Sequence, residues 1–264
     1  MYQSENQKKY LNKLKKEKWL IKISQLSIVI FAILLWELLT SLEVINSFIY
    51  SSPSRILKTI YSLIISGNLF NHITATLYEV FLAFFIGISL GFIISIIFYQ
   101  IPIIAKICDP FLTILNSLPK VALGPIIIII AGANIKSIIL MAILINLIVS
   151  ITTIYNGFIN TDKIKIKMFE TFKASKIQKL LYLIIPNSYT TIISSLKLNI
   201  ALTLIGVITG EFLVSKEGIG YLIIYGSQVF NLDLVMSGIL LLLIISYILY
   251  YGVISLEKKL IKQK

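Results

Sequence analysis

The sequence predicts an all-α integral membrane protein with six transmembrane helices and both termini in the cytoplasm. Three observations carry that expectation. Hydrophobic residues make up 57% of the 264 residues and charged ones only 14%, with a mean hydropathy of +0.91, a balance no soluble domain shows. Windows of about 20 mostly apolar residues, enough to cross a bilayer, recur along the chain. Lysines cluster in segments that an even number of crossings places on one side. A single His72 and a single Cys108 exclude His-cluster metal sites, disulfide frameworks and Cys-rich chemistry. The net charge of +12 would suggest nucleic acid in a soluble chain; here it reports sidedness, and no nucleic-acid partner is expected.

The six spans fall at residues 20–42, 73–99, 111–131, 135–158, 190–214 and 234–256. The first follows a basic stretch as in a signal peptide, but its apolar run is too long and no small-residue cleavage site follows, so it is expected as an uncleaved anchor. Residues 1–19 then form a cytoplasmic basic tail and residues 20–264 a single membrane domain. Residues 44–72 are too polar to cross. Within them Ser51-Ser52-Pro53-Ser54 reads as a turn, with Ser54 capping a short amphipathic helix through about Ser66 on the outer surface. The third span carries Pro119 and Pro125, which break its backbone ladder and are tolerated at depth only where neighbouring protein satisfies the freed carbonyls. Lysines 8, 9, 13, 15, 16, 18 and 22, then Lys163, Lys165, Lys167, Lys173, Lys176 and Lys179, then Lys258, Lys259, Lys262 and Lys264 mark the cytoplasmic side. The opposite loops carry Arg55, Lys58, Lys136 and Lys216.

Charges within the spans are functional candidates by default. Glu37 and Glu79 fit a structural part, pairing or reaching the interface. Lys120, beside Pro119, either places a cation near a solute pathway or bonds to carbonyls freed by the proline. Lys197 either snorkels or pairs, and Glu211 could pair with Lys216. These three are the candidate pathway or gating residues. Gly87 with Gly91, and Gly206 with Gly210, place small residues on single helix faces and are most simply close-packing points between helices; the second pair could form a seam between two copies of the chain.

The insertion at residues 161–186 is too long for a simple turn and too charged to span. Phe169 and Phe172, then Ile177, Leu180, Leu181 and Ile184, follow helical spacing with lysines on the other faces, which predicts two short helices. They form either a solvated amphipathic elbow or a contact for a cytosolic partner.

This segment resembles the cytoplasmic signature of binding-protein-dependent ABC-transporter permeases: Glu-Ala-Ala, three residues, Gly, nine residues, then Ile-x-Leu-Pro. Lys167-Met168-Phe169 stands at the Glu-Ala-Ala, Lys173 at the Gly, and Leu183-Ile184-Ile185-Pro186 closes the motif at the expected spacing. The rest of the chain is similar, in order, to the nitrate, sulfonate and taurine branch of that superfamily. The matching pieces are Leu35-Trp36-Glu37, Ser52-Pro53-Ser54-Arg55-Ile56, Asp109-Pro110, Ser117-Leu118-Pro119, Gly210-Glu211-Phe212-Leu213 and Glu217-Gly218-Ile219-Gly220-Tyr221-Leu222.

The resemblance implies a type I ABC-importer permease fold in a bacterial cell membrane. It implies partners: an ABC ATP-binding subunit, an extracytoplasmic solute-binding protein that Glu211 could face, and a second permease copy, expected as a homodimer. Glu170, Thr171, Phe172, Lys173, Ala174, Ser175 and Pro186 are then the coupling contact with the ATPase, and Lys167 implies a partner groove more acidic than usual. If the Gly position needs a positive φ, Lys173 pays a steric cost there, and continuous helix could replace the turn. The chain has no phosphate-cradling G-x-x-x-x-G-K-[ST] loop, so it is not expected to be an enzyme and holds no cofactor; ATP and Mg²⁺ are expected on the partner. The solute implied is a small anion such as a sulfonate or nitrate, or else a vitamin precursor of the thiamine-pyrimidine type. An ion-coupled secondary carrier would need duplicated halves with paired acids at mid-membrane, and a membrane enzyme a constellation that so few buried acids cannot supply.

Overall fold

The computed structural model describes residues 5–261, and among them every regular element is helical. The elements are α1 (Glu5–Ser41), α2 (Ser47–Tyr50), α3 (Pro53–Ile65), α4 (Asn68–Gln100), α5 (Pro102–Ser117), a 3₁₀ turn (Lys120–Leu123), α6 (Gly124–Ala131) and α7 (Ile135–Ile159). They continue with α8 (Lys163–Thr171), α9 (Lys176–Lys179), a π-helical turn (Leu180–Ile184), α10 (Ile185–Asn187), α11 (Tyr189–Val214), α12 (Ile219–Gln228) and α13 (Leu232–Ile261). Five helices are long and apolar enough to cross a membrane, or six where α5 with the bent segment Lys120–Ala131 counts as one broken span rather than a re-entrant loop.

That third span differs most from its expected form. It starts at Pro102 rather than near residue 111 and bends by 94° after Ser117. Leu118 is extended, as a residue before proline tends to be, and the chain resumes helix only through the short turn after Pro119.

The centre of the bundle is α7, flanked by α4 and α11. Val80, Ala83 and Phe84 of α4, Ile138 and Ala142 of α7, and Ile200, Leu204 and Val207 of α11 form the main apolar core. Glycines let the backbones approach. A Cβ on Gly87 would overlap the Asn146 side chain and one on Gly91 would lie 2.4 Å from Ser150 Cβ; at Gly206 and Gly210 the nearest atoms would be the Cα atoms of Ala142 and Ile138, at 2.6 and 2.9 Å. Gly206 and Gly210 therefore pack closely on α7 of the same chain, as close-packing points do, and, being buried there, they do not form a seam between two copies.

Ser52, not Ser54, caps α3: its hydroxyl accepts the Arg55 N–H, and Pro53 occupies the first helical turn, where a missing N–H costs nothing. Arg55 then forms a two-pronged ion pair with Asp233 at the start of α13, Nη2 at 2.7 Å and Nε at 2.9 Å. That contact, with the packing of Ile60 and Leu63 near Leu69, Ile219, Leu241 and Ile245, sets α3 across one end of the bundle.

Helix α1 stands apart. At about 1.5 Å per residue its 37 residues span roughly 55 Å, well beyond a hydrocarbon core of about 30 Å. The helix runs without a break through the basic stretch into the apolar one. Among the described residues its main contacts are with α2 and α3, and its apolar window buries no residue.

Candidate functional site

The insertion after α7 folds as the expected pair of short helices. Asp162 caps α8 by accepting the Ile164 N–H at 2.8 Å. Ile166 and Phe169 turn toward the bundle and pack on Phe158, Leu180, Leu183 and Ile184, while Phe172 is 77% exposed. The two aromatics thus divide: Phe169 holds the loop down and Phe172 is presented to whatever lies beyond.

The turn between the helices is not continuous helix. Lys173 has φ +54°, its N–H bonds to the Glu170 carbonyl at 2.9 Å, and the Ala174 N–H bonds to the Phe169 carbonyl at 3.1 Å. That pairing, with a left-handed residue after the last helical one, is a Schellman stop, in which glycine is usual and lysine is strained. The Thr171 hydroxyl bonds back to the Met168 carbonyl at 2.6 Å. Ser175 opens α9 with a capping box, its hydroxyl accepting the Gln178 N–H at 3.2 Å and the Gln178 side chain accepting the Ser175 N–H at 2.7 Å. Glu170 and Lys179 bridge α8 to α9 at 2.9 Å. Pro186 lies in α10, just past the π-helical turn.

The candidate pathway residues are scattered. Lys120 stays at the break, where its Nζ bonds to the Asn116 carbonyl at 3.1 Å, a group the bend deprives of its helical donor. Lys197 pairs with Glu257 of α13 at 2.7 Å. Glu211 neither pairs with Lys216 nor reaches the surface: it is fully buried.

Around Glu211 is a cluster that the sequence reading missed. Its Oε1 accepts the Thr76 hydroxyl at 2.6 Å and its Oε2 the Gly220 N–H at 2.5 Å. Thr76 also accepts the Ile219 N–H at 2.9 Å, and His72 Nδ1 accepts the Gly218 N–H at 3.0 Å. Glu79 is 3% exposed and lies within hydrogen-bond reach of Glu211, with its Oε2 unpartnered among the described residues. Glu79 therefore neither forms an ion pair nor reaches the interface, as had been expected of it. His72, Thr76 and Glu79 sit on one face of α4 at steps of four and three, a polar stripe in an apolar span that the sequence displays.

Residues 83–262 match the family described as "Binding-protein-dependent transport system inner membrane component". The chain is 26% identical over 231 residues to a probable ABC transporter permease protein of Haemophilus influenzae, covering 88% of this chain and 94% of that one. It is 29% identical over 234 residues to the putative aliphatic sulfonates transport permease protein SsuC of Bacillus subtilis, covering 87% and 83%. To the taurine transport system permease protein TauC of Escherichia coli the identity is 23% over 253 residues, covering 92% of each. Among solved structures, a chain of the MetNI methionine ABC transporter in an inward-facing conformation superposes with a TM-score of 0.64 over 71% of this chain and 94% of that one; at 16% identity the likeness is one of fold.

Proposed function

The chain belongs to the binding-protein-dependent transport system inner membrane components, and from that premise we infer that it forms the solute pathway of an ATP-driven importer and engages its motor through the α8–α9 hairpin. The observation that carries the hairpin's part is the split between Phe169, packed onto the core, and Phe172, 77% exposed at the tip. A capped, bridged and clamped hairpin can pass a push to α7 and α11 without buckling, which a coupling element must do. ATP and Mg²⁺ belong on the partner ATPase, whose closure draws two such hairpins together and switches the access of the pathway. An extracytoplasmic binding protein delivers solute, and a second copy of the chain completes the pathway. The basic face of α8 favours an acidic groove on the ATPase, so Lys167→Glu weakens the complex; unchanged affinity and coupled ATPase activity would remove that feature from the reading.

The solute read here is a small anion of the sulfonate type, supported by the likeness to SsuC and TauC over most of the chain. A second reading, a pyrimidine vitamin precursor, is supported by 27% identity over 173 residues to the formylaminopyrimidine transport permease protein ThiX of Halalkalibacterium halodurans. The test is reconstitution in proteoliposomes with the partner P-loop ATPase and binding protein. Uptake should require ATP and follow the ligand of the binding protein. Solute movement by this chain alone, driven by an ion gradient without an ATPase, refutes the importer reading.

A further inference from the structure

The chain has a single histidine, and the fold brings it to the turn between α11 and α12. His72 stands near the start of α4, where its Nδ1 accepts the Gly218 N–H at 3.0 Å. A backbone N–H can only donate, so this bond requires the neutral ring, with a bare lone pair on Nδ1 and the proton on Nε2. The ring is also stacked. The Tyr221 centroid lies 5.9 Å away with 23° between the planes, and Tyr225 continues the row at 5.7 Å.

Three side chains receive the N–H groups at the start of α12: His72 through Nδ1, Thr76 through its hydroxyl and Glu211 through its carboxyl. They answer differently to a proton. The hydroxyl of threonine keeps its lone pairs at any ordinary pH, and a carboxyl group retains an accepting oxygen after protonation. Imidazole does not: once protonated on Nδ1 it has no lone pair left and presents N–H to N–H. Stacking on Tyr221 holds the plane of the ring, so the charged imidazole opposes the Gly218 N–H instead of turning aside.

The groups around the ring come from four directions. Toward α3 and α13 the packing is apolar, with Leu69 and Ile219 against Leu63 and Leu241. The turn carries Lys216 and Glu217, and Glu217 is the charge that acts on the imidazole. From α11 the Glu211 carboxyl is engaged by Thr76 and Gly220, with Glu79 of α4 beside it. We propose that His72 is an acid-sensitive latch: proton uptake at Nδ1 breaks its bond to Gly218 and frees the start of α12 from α4, and proton loss restores it. The turn follows the end of α11, whereas the α8–α9 hairpin precedes its start. With the hairpin in the cytoplasm the latch therefore answers to the pH outside the cell. That sidedness rests on the importer reading; the latch does not, and its test needs neither ATPase nor transport, so the two fail separately.

The test uses the full chain in nanodiscs, purified without a histidine tag so that ¹⁵N-histidine labels His72 alone. Free imidazole takes up a proton at about pH 6.5, which spectra at about pH 7.5 and about pH 5 bracket. The Nδ1 resonance should move from that of a bare nitrogen to that of a protonated one. Amide-exchange protection over residues 218–220, corrected for the intrinsic pH dependence of exchange, should fall with it by about tenfold or more. His72→Asn puts an amide oxygen near the place of Nδ1 that does not titrate, and should keep protection at both pH values. His72→Phe keeps an aromatic ring on Tyr221 without an acceptor, and should show low protection at both. The neighbouring carboxyl groups are present in each variant, so an acid-induced loss that persists in His72→Asn belongs to them and overturns the proposal. An Nδ1 that stays bare at the lower pH overturns it too, as does protection in the unaltered chain that does not change with pH.

Discussion

Glu211 on α11 reaches the first turn of α12, where its Oε2 accepts the Gly220 N–H at 2.5 Å. Helix α12 has no capping side chain of its own. The N–H groups of Gly218, Ile219 and Gly220 are taken instead by His72, Thr76 and Glu211 from two other helices. The arrangement places a carboxyl group at the positive end of α12 and fastens that helix to α4 and α11 at once. Glycine is required at the approach: a Cβ on Gly218, whose φ is +106°, or on Gly220 would fall 2.4 and 2.7 Å from the Glu211 carboxyl group.

Replacing Glu211 with Gln tests this clamp. An amide offers one accepting oxygen and turns an NH₂ toward either Thr76 or Gly220, both of which donate. The expected loss is about 1–3 kcal/mol, read as a lower unfolding midpoint in detergent and faster amide exchange at residues 218–221. Glu79→Gln should behave differently. Its Oε2 has no partner among the described residues, and an amide can donate to Glu211, so the midpoint should fall less or rise. Equal losses from the two substitutions contradict the assignment of Glu211 as the hub.

The seam between α11 and α7 yields a second prediction. A Cβ at position 206 would lie 2.6 Å from the Cα of Ala142, and backbone does not give way as a side-chain tip does. Gly206→Ala should cost about 1–3 kcal/mol through overpacking. A Cβ on Gly252 of α13 would meet nothing within 4 Å beyond its own helix backbone among the described residues, and Gly252→Ala should be neutral or stabilising by about 0.5–1 kcal/mol through helix propensity. Thermal unfolding of the two variants side by side separates them.

The small-residue faces were legible because a step of four marks one side of a helix. What each face meets is a tertiary fact, which is why Gly206 and Gly210 could also be read as a seam between copies. The same limit hid the carboxyl cluster. Thr76 and Glu211 touch across 135 positions of sequence, whereas Lys216 suggested itself as a partner of Glu211 only by its nearness in the chain. The spans and the α8–α9 hairpin were more readable, since length, apolarity and lysine placement are local. The broken third span was half readable: Pro119 located the break, whereas the 94° bend depends on how α5 and α6 pack.

Lys173 carries the third prediction. A left-handed backbone costs a non-glycine residue roughly 1–2 kcal/mol, and Lys173 sits at φ +54° with both Schellman hydrogen bonds intact. Lys173→Gly should relieve that strain, partly offset by the greater freedom of glycine in the unfolded chain. The expected net gain is about 0.5–1 kcal/mol, with slower amide exchange at residues 173 and 174. Unchanged or faster exchange there means that lysine is not strained in this turn.

The last prediction separates holding the hairpin from using it. Phe169 packs against Phe158, Leu180 and Ile184, so Phe169→Ala should loosen the hairpin, lowering stability by about 1–3 kcal/mol and coupling along with it. Phe172 touches little of its own chain at 77% exposure, so Phe172→Ala should leave the unfolding midpoint within about 0.5 kcal/mol. An aromatic anchor at the centre of an interface typically contributes 2 kcal/mol or more. Phe172→Ala should therefore weaken binding of the partner ATPase by roughly thirtyfold or more and uncouple ATP hydrolysis from uptake. Binding measured with the purified subunits, beside the melting curves, reads both effects; full affinity in Phe172→Ala moves the motor contact away from the tip of the hairpin.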